Sequence, residues 1–298
     1  MQAATHPGDS NRVDTSIGEP QAHDNPIEGR VRRNRREPNW MLDYESGEGL
    51  SDEDTLNVMM IVTDTDPMPF EEAARSKKWR HAMMKEMESI EKNKTWELVD
   101  APSGVKPIGV KWIFKTKFKE NGEVDKFKAR LMVKGYAKEY GVDYTEVFAP
   151  VATLDTICII LAMAAHYNWK VYQLDVKSVF LHGELKEDIY VQQPTGFLKK
   201  GKEDKVYKLK KALYGLKQAP RAWYNMIESY FSRKGFERCV CEHTLFTKSK
   251  EGGKILIVSL YVDDLIYTGN DWSVCDEFKE SMMLEFDMTD LGRMRYFL

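Results

Sequence analysis

Residues 255–267 read ILIVSLYVDDLIY. Ile255–Val262 is an apolar run of strand length and Leu265–Tyr267 is its return, so the pattern predicts a hairpin with Asp263-Asp264 as its turn. Asp tolerates turn dihedrals. Strands that are apolar on both faces, however, belong to a covered sheet, where neighbouring carboxylates disfavour each other unless cations offset them. The stretch VYQLDV (171–176) repeats the oddity, with Asp175 inside a strand-like run. If the two pieces are central strands lying side by side, Asp175, Asp263 and Asp264 meet at one end of the sheet. Such hard oxygen ligands suit Mg²⁺ or Mn²⁺. Two ions roughly 3.5–4 Å apart can activate an attacking hydroxyl and hold the leaving phosphate oxygens.

Basic segments flank these acids. Lys111–Lys119 alternates, with Trp112, Phe114, Thr116 and Phe118 on one side and four lysines on the other. Asn121-Gly122 signals a two-residue hairpin loop, and Val124–Val133 is the return strand with an irregularity near Asp125. From Lys106 to Tyr140 there are 10 basic and 4 acidic residues, and from Lys199 to Arg221 there are 9 and 2. Two positive patches in a chain of net charge −3 point to a polyanionic partner, whose phosphates lysines would neutralise. Phe180, five residues beyond Asp175, could pack under a bound sugar; a plain core phenylalanine is the alternative.

Helical spacing covers Phe70–Lys92, with Ala73, Trp79, Ala82, Met83, Met87 and Ile90 as its apolar stripe. Further helices are expected over Leu154–Tyr167, Ala219–Phe231 and from Asp276. The order of helices, ribbon and hairpin predicts an α+β domain with an antiparallel sheet. Residues 1–66 hold 14 acidic and 6 basic side chains with scattered prolines. That composition reads as a disordered linker, and the domain proper is expected over 67–298. Arg32, Arg33, Arg35 and Arg36 read as a linker charge run, with a nuclear-import or nucleic-acid patch as the alternative.

Composition narrows the class further. At 42% apolar and 31% charged, the 298 residues are neither a wholly disordered chain nor a membrane-embedded one. The longest apolar stretches fall far short of the roughly 20 residues that cross a bilayer. Four cysteines make no disulfide framework. Cys239, Cys241 and His243 lack the second half of a zinc site and read as thiols and a loop histidine.

Several segments carry a family resemblance. Tyr261-Val262-Asp263-Asp264 resembles the catalytic tetrad of reverse transcriptases. The wider series is similar to the polymerase domain of copia-type LTR retrotransposons: TWELVD (95–100), KWIFKTKFKENGEVDKFKARLMVKGYAKEYGVDYTEVFAPVA (111–152), YQLDVKSVFLHGELKEDIYVQQPTGF (172–197), LYGLKQAPRAWY (213–224) and LYVDDLIYTG (260–269). The likeness runs from about Trp79 to Leu298. It implies a right-hand polymerase with a palm, an antiparallel sheet with packed helices, and fingers.

The resemblance also implies roles. Asp175, Asp263 and Asp264 fall on the catalytic, metal-binding aspartates, with Asp263 the closer ligand of the hairpin pair. Phe180 falls where the family keeps its sugar-discriminating aromatic. Lys115, Lys117, Lys128 and Arg130 fall in the fingers ribbon, Arg130 as the best triphosphate contact. Gln218 falls on a palm residue near the incoming nucleotide or template. The implied activity is RNA-directed DNA synthesis: a primer 3′-hydroxyl attacks a dNTP on an RNA or DNA template, with two Mg²⁺ (or Mn²⁺) ions. A retroelement remnant that at most binds nucleic acid is the alternative. The family continues with a thumb and RNase H, so the resemblance implies a chain truncated before the thumb. Its implied partners are the template–primer duplex and the remaining polyprotein domains, integrase included. The implied setting is a cytoplasmic virus-like particle with some access to the nucleus. One departure is Val179, where the family commonly has alanine; two extra methyl groups there could displace Phe180.

Overall fold

The computed structural model of the chain describes residues 69–119, 121–135 and 146–294. The expected linker over 1–66, its arginine cluster and the boundary at 67 lie outside the described residues. Helices form where the apolar spacing is helical. The single helix expected over Phe70–Lys92 is two, Phe70–Arg75 (α1) and Lys77–Lys92 (α2), because Ser76 between them takes extended angles (φ −93°, ψ 126°). Along one face, α2 buries Trp79, Ala82, Met83, Glu86, Met87 and Ile90. Leu154–His166 (α3) starts at Thr153, whose hydroxyl accepts the Thr156 amide at 3.3 Å, satisfying one free donor of the first turn. Ala219–Arg233 (α4) has Pro220 in its first turn and buries Trp223, Tyr224, Ile227, Tyr230 and Phe231. Trp272–Glu285 (α5) begins ahead of the expected Asp276, because Asp271 caps it by accepting the Ser273 amide at 2.8 Å.

Among the described residues the strands make three antiparallel sheets. Trp96–Val99 (β1), Glu184–Val191 (β5) and Val206–Lys211 (β6) form one, in the order β1-β6-β5. Val110–Phe118 (β2) and Val124–Val133 (β3) form a two-stranded ribbon. The largest is built from Val171–Val176 (β4), Glu237–Arg238 (β7), Leu245–Lys250 (β8), Lys254–Tyr261 (β9), Asp264–Gly269 (β10) and Met288–Arg293 (β11). Its order is β11-β4-β10-β9-β8-β7. The expected α+β organisation is therefore observed. The ribbon turn differs from expectation: Phe118 pairs with Val124, so Asn121-Gly122 sits in a five-residue connection rather than a two-residue loop. The register skips at Asp125, where an irregularity is expected.

Among the described residues three cores organise these layers. α2 packs with the ribbon and the three-stranded sheet around Trp79, Phe114, Leu131, Ile189 and Leu209. α4 and α5 cover one face of the six-stranded sheet around Trp223, Tyr230, Phe231, Val258, Leu265 and Phe278. On the opposite face Ile157 of α3 packs on Ile266. Each large side chain fully buried in this way stabilises the fold by about 1.5–3 kcal/mol. No helix among the described residues is long and apolar enough to cross a membrane.

Two joints bring backbones into direct contact. The Val133 amide, at the end of β3, donates to the Tyr214 carbonyl at 2.7 Å. A Cβ on Gly135 would stand 2.0 Å from the Gly215 carbonyl oxygen, so a side chain cannot be placed there. The second joint follows β4, where the 3₁₀ turn Val179–His182 leads into Gly183. A Cβ there would lie 2.6 Å from the Trp223 nitrogen and 2.7 Å from the Ala222 carbonyl carbon, both in α4. Gly183 has an ordinary φ of −73°, so the demand is for space alone. Gly183→Ala is expected to destabilise the chain by about 1–3 kcal/mol, seen as a lower urea midpoint with an unchanged slope.

Candidate active site

Strand β10 lies between β4 and β9. Its register with β4 sets Asp264 directly opposite Asp175 and Leu265 opposite Leu174. Successive strand residues face opposite sides. Leu174, Val176 and Leu265 enter the core under α4 and α5, which turns Asp175, Gln173 and Asp264 to the other face. Residues directly opposite each other share a face, so pairing alone makes the two carboxylates neighbours.

The hairpin turn is one residue earlier than the sequence suggests. Tyr261 pairs with Asp264, so the loop is Val262-Asp263 and Asp264 already belongs to β10. Val262 is left-handed at φ +55°, a region unfavourable for a β-branched residue and costing about 1–3 kcal/mol. Such strain persists where surroundings over-determine it, and here both loop carbonyls are tied. The Trp223 indole donates to the Val262 carbonyl at 2.7 Å, and the Val176 amide donates to the Asp263 carbonyl at 2.8 Å.

Burial and neighbouring charge raise the proton affinity of Asp263 and Asp264. Burial and then the Asp263 charge push Asp264 up to about 6, against a 3.3 Å hydrogen bond donated by Gln173. Burial pushes Asp263 up as well, and Asp175 adds to it, while Lys128 and Arg130 pull it down. All three donors are carboxylate oxygens, the chemistry that suits a hard divalent cation, and their mutual repulsion is what such a cation would relieve. Asp264 spends an oxygen on Gln173, which leaves Asp175 and Asp263 the freer pair. Among the described residues no three His, Cys, Asp or Glu side chains already stand close enough to hold a metal ion.

The ribbon presents a basic face. Lys115 pairs with Lys128, and Lys117 with Lys126, so like charges stand opposite each other, an unfavourable arrangement. Its other face, with Trp112, Phe114, Ala129 and Leu131, is core. Burial, then Arg130 and Lys117, lower Lys128 to about 8, while Asp175 acts in the opposite sense. The lysine face and the carboxylates therefore feel each other's charge.

Arg130 donates to Glu86 at 2.5 Å, with its guanidinium carbon 5.2 Å from the centre of the Tyr214 ring. Phe180 meets the same ring edge-on at 4.8 Å. Val179 is 1% exposed and packs in the core under α4. Gln218 is 3% exposed at the start of α4, and its carbonyl accepts the Ala222 amide at 2.9 Å.

The second positive patch is largely neutralised. Lys199, Lys205, Lys208 and Lys210 pair with Glu91, Asp100, Asp188 and Glu97 at 3.3, 2.6, 2.7 and 2.6 Å, and Arg221 pairs with Glu146 at 3.2 Å. Such surface pairs add little stability but cancel the field a polyanion would sense.

Glu86, Gln173, Tyr214 and Trp223 are the site neighbours that sequence reasoning missed. Glu86 had a signal, being an acid on the apolar stripe of a helix. The others become visible only through the strand register and the contacts of α4.

A stability test follows from the raised Asp264. Its folded value lies above the ordinary carboxylate range, so the ionised group opposes folding as pH rises from about 4 to about 6. In EDTA at pH 7–8, Asp264→Asn is expected to be more stable than wild type by on the order of 1 kcal/mol, after allowing for solvent screening of a half-exposed group. The gain should vanish below about pH 4; denaturant titrations across pH measure both.

The chain resembles known proteins over most of its length. Residues 93–298 match the family model described as reverse transcriptase (RNA-dependent DNA polymerase). The chain is 42% identical over 211 residues to a retrovirus-related Pol polyprotein from transposon TNT 1-94 of Nicotiana tabacum, covering 71% of this chain and 16% of that one. It is 39% identical over 239 residues to the corresponding polyprotein from transposon RE1 of Arabidopsis thaliana, covering 80% and 16%. A transposon Ty1-ER2 Gag-Pol polyprotein of Saccharomyces cerevisiae is 28% identical over 217 residues, covering 70% and 12%. The chain thus spans 16% of the length of the two plant polyproteins. With a family match reaching from residue 93 to residue 298 and relatives of this kind, the chain belongs to the reverse-transcriptase domain family of copia-type LTR-retrotransposon Pol polyproteins.

Proposed function

We propose that this chain is the RNA-directed DNA polymerase domain of a retrotransposon polyprotein: on an RNA or DNA template, a primer 3′-hydroxyl attacks the α-phosphate of a dNTP and gives up its proton, and pyrophosphate leaves. The observation that carries the reading is the register setting Asp264 opposite Asp175, with Asp263 at the hairpin tip and the charge of Lys128 and Arg130 reaching Asp263. In this reading the six-stranded sheet with α4 and α5 is the palm, the ribbon with α2 is the fingers, and the domain occupies 67–298.

Asp175 and Asp263 would hold Mg²⁺ or Mn²⁺, with Asp264 as the weaker third donor. Bound there, the ions supply activation of the primer hydroxyl and charge neutralisation of the triphosphate. The protein's own contribution is placement. Lys115, Lys128 and Arg130 receive the triphosphate, and Lys128, lowered to about 8, gains a strong anionic partner when it does. Phe180, seated against Tyr214, lies under the sugar and leaves no room for a 2′-hydroxyl. Gln218 borders the nucleotide or template at the head of α4. Positioning and fixed charge account for most of the rate gain in this scheme. Phosphate contacts govern affinity and its salt dependence, while base pairing supplies the sequence. The proposed partners are a template–primer duplex and the thumb, RNase H and integrase portions of such polyproteins. A cytoplasmic particle with access to the nucleus is the proposed setting.

Primer extension on an RNA template with Mg²⁺ or Mn²⁺ tests the proposal. Wild-type chain is expected to add nucleotide, and Asp263→Asn to lose at least about a hundredfold in rate. Folded wild-type protein that binds duplex but adds nothing, with or without divalent ion, would establish the inert binding remnant instead. Lys128→Ala is expected to raise the KM for dNTP about tenfold, which is about 1.4 kcal/mol, with a weaker dependence on salt.

A further inference from the structure

One buried ion pair has a position that packing alone does not require. Glu86 lies on the apolar face of α2 among Met83, Met87 and Ile90 and is 2% exposed. A carboxylate there is heavily penalised, and replacing a buried ion pair by apolar residues is often neutral or stabilising. Its partner Arg130 reaches in from β3 with a side chain 16% exposed, at 2.5 Å. Beyond this pair the contacts continue in one direction. The guanidinium lies over Tyr214, and Tyr214 abuts Phe180 edge-on at 4.8 Å. The Tyr214 backbone is itself fixed, through its carbonyl, to the end of β3. A guanidinium offers five N–H donors in a planar fork. Glu86 engages one nitrogen and orients the plane, leaving further donors for phosphate oxygens.

We propose that Glu86 is a positioning residue: by pinning Arg130 against Tyr214 it sets the cation that meets the triphosphate and the seat of Phe180, and so tunes nucleotide affinity and sugar selection without touching the nucleotide. The proposal rests on the polymerase reading above. Freed from Glu86, the guanidinium would swing on its flexible stem and would have to be ordered again at each binding event, which weakens affinity. Tyr214 would lose the cover on its outer face, and Phe180 would lose its fixed neighbour.

The test uses the full chain with a template annealed to a dideoxy-terminated primer, so that dNTP binding is read at equilibrium without chemistry. A second series with an extendable primer gives kcat, both KM values and the preference for dNTP over rNTP. Glu86→Gln is compared with wild type and with Glu91→Gln, an exposed site on the same helix whose Oε1 pairs with Lys199 at 3.3 Å. For Glu86→Gln the Kd and KM for dNTP are expected to rise about tenfold and the dNTP preference to fall, with kcat within about twofold and the duplex KM unmoved. Glu91→Gln should leave kcat, the dNTP Kd and KM and the dNTP preference unchanged. An unchanged dNTP Kd in folded Glu86→Gln overturns the proposal. So does a loss shared by kcat and the duplex KM, which marks a purely structural pair. Should Glu86→Gln not fold, Glu86→Asp, which keeps the charge but withdraws it by one methylene, is read against the same expectations. Wild type that binds dNTP but never incorporates it sinks the polymerase reading and leaves the Kd comparison to decide Glu86. Wild type that binds no dNTP overturns both.

Discussion

The pairing of β10 with β4 is the constraint on which the site depends. Side chains alternate along a strand, so a slip of one residue would send every carboxylate to the core face and every core residue out. Leu174, Val176, Leu265 and Tyr267 all pack beneath α4 and α5, and this apolar set fixes the register. Placing Asp175 opposite Asp264 is therefore a by-product of hydrophobic burial. No attraction between the acids is needed, and none exists. Burial and then repulsion raise Asp263 and Asp264, and the core on the other side of the sheet holds them in place.

The hairpin tip shows the same logic at smaller scale. A left-handed valine and a pair of acids are both locally unfavourable. The Trp223 indole and the Val176 amide each take one loop carbonyl, binding the tip to α4 on one side and β4 on the other. α4 is in turn welded to the turn after β4 at Gly183. The segment carrying Asp175 and Phe180 and the segment carrying Asp263 are thus both referenced to one helix, which limits their relative motion.

The hairpin was legible in the sequence because its strands are apolar on both faces, and so was Asp175 as a misfit in VYQLDV. The ribbon was legible from its alternation, down to the irregularity at Asp125. The turn lies one residue earlier than the sequence suggests, since closure of the ladder by Tyr261 and Asp264 leaves no mark in composition. β11 was invisible: MTDLGR is short and polar, an edge strand defined by its partner β4. The basic run from Lys199 to Arg221 misled for a related reason, because Glu91, Glu97, Asp100 and Glu146 reach it from distant segments. Charge counted along a chain records donors and omits the acceptors that folding delivers. Glu86 is the opposite case, a readable anomaly on an apolar stripe whose meaning depended on an arginine 44 positions away.

The contact between Gly135 and Gly215 is a hub for the basic ribbon. Bare α-carbons bring the two backbones together there, beside the hydrogen bond from Val133 to Tyr214, while the inner face of the ribbon packs with α2 and the three-stranded sheet. Arg130 lies three strand positions from Val133 and Lys126 seven, about 10 Å and about 24 Å at the rise of an antiparallel strand. The arginine therefore stands close to the anchored end and the outer lysines toward the open one. Reach and precision are divided along a single strand, a division written into the chain by two missing side chains.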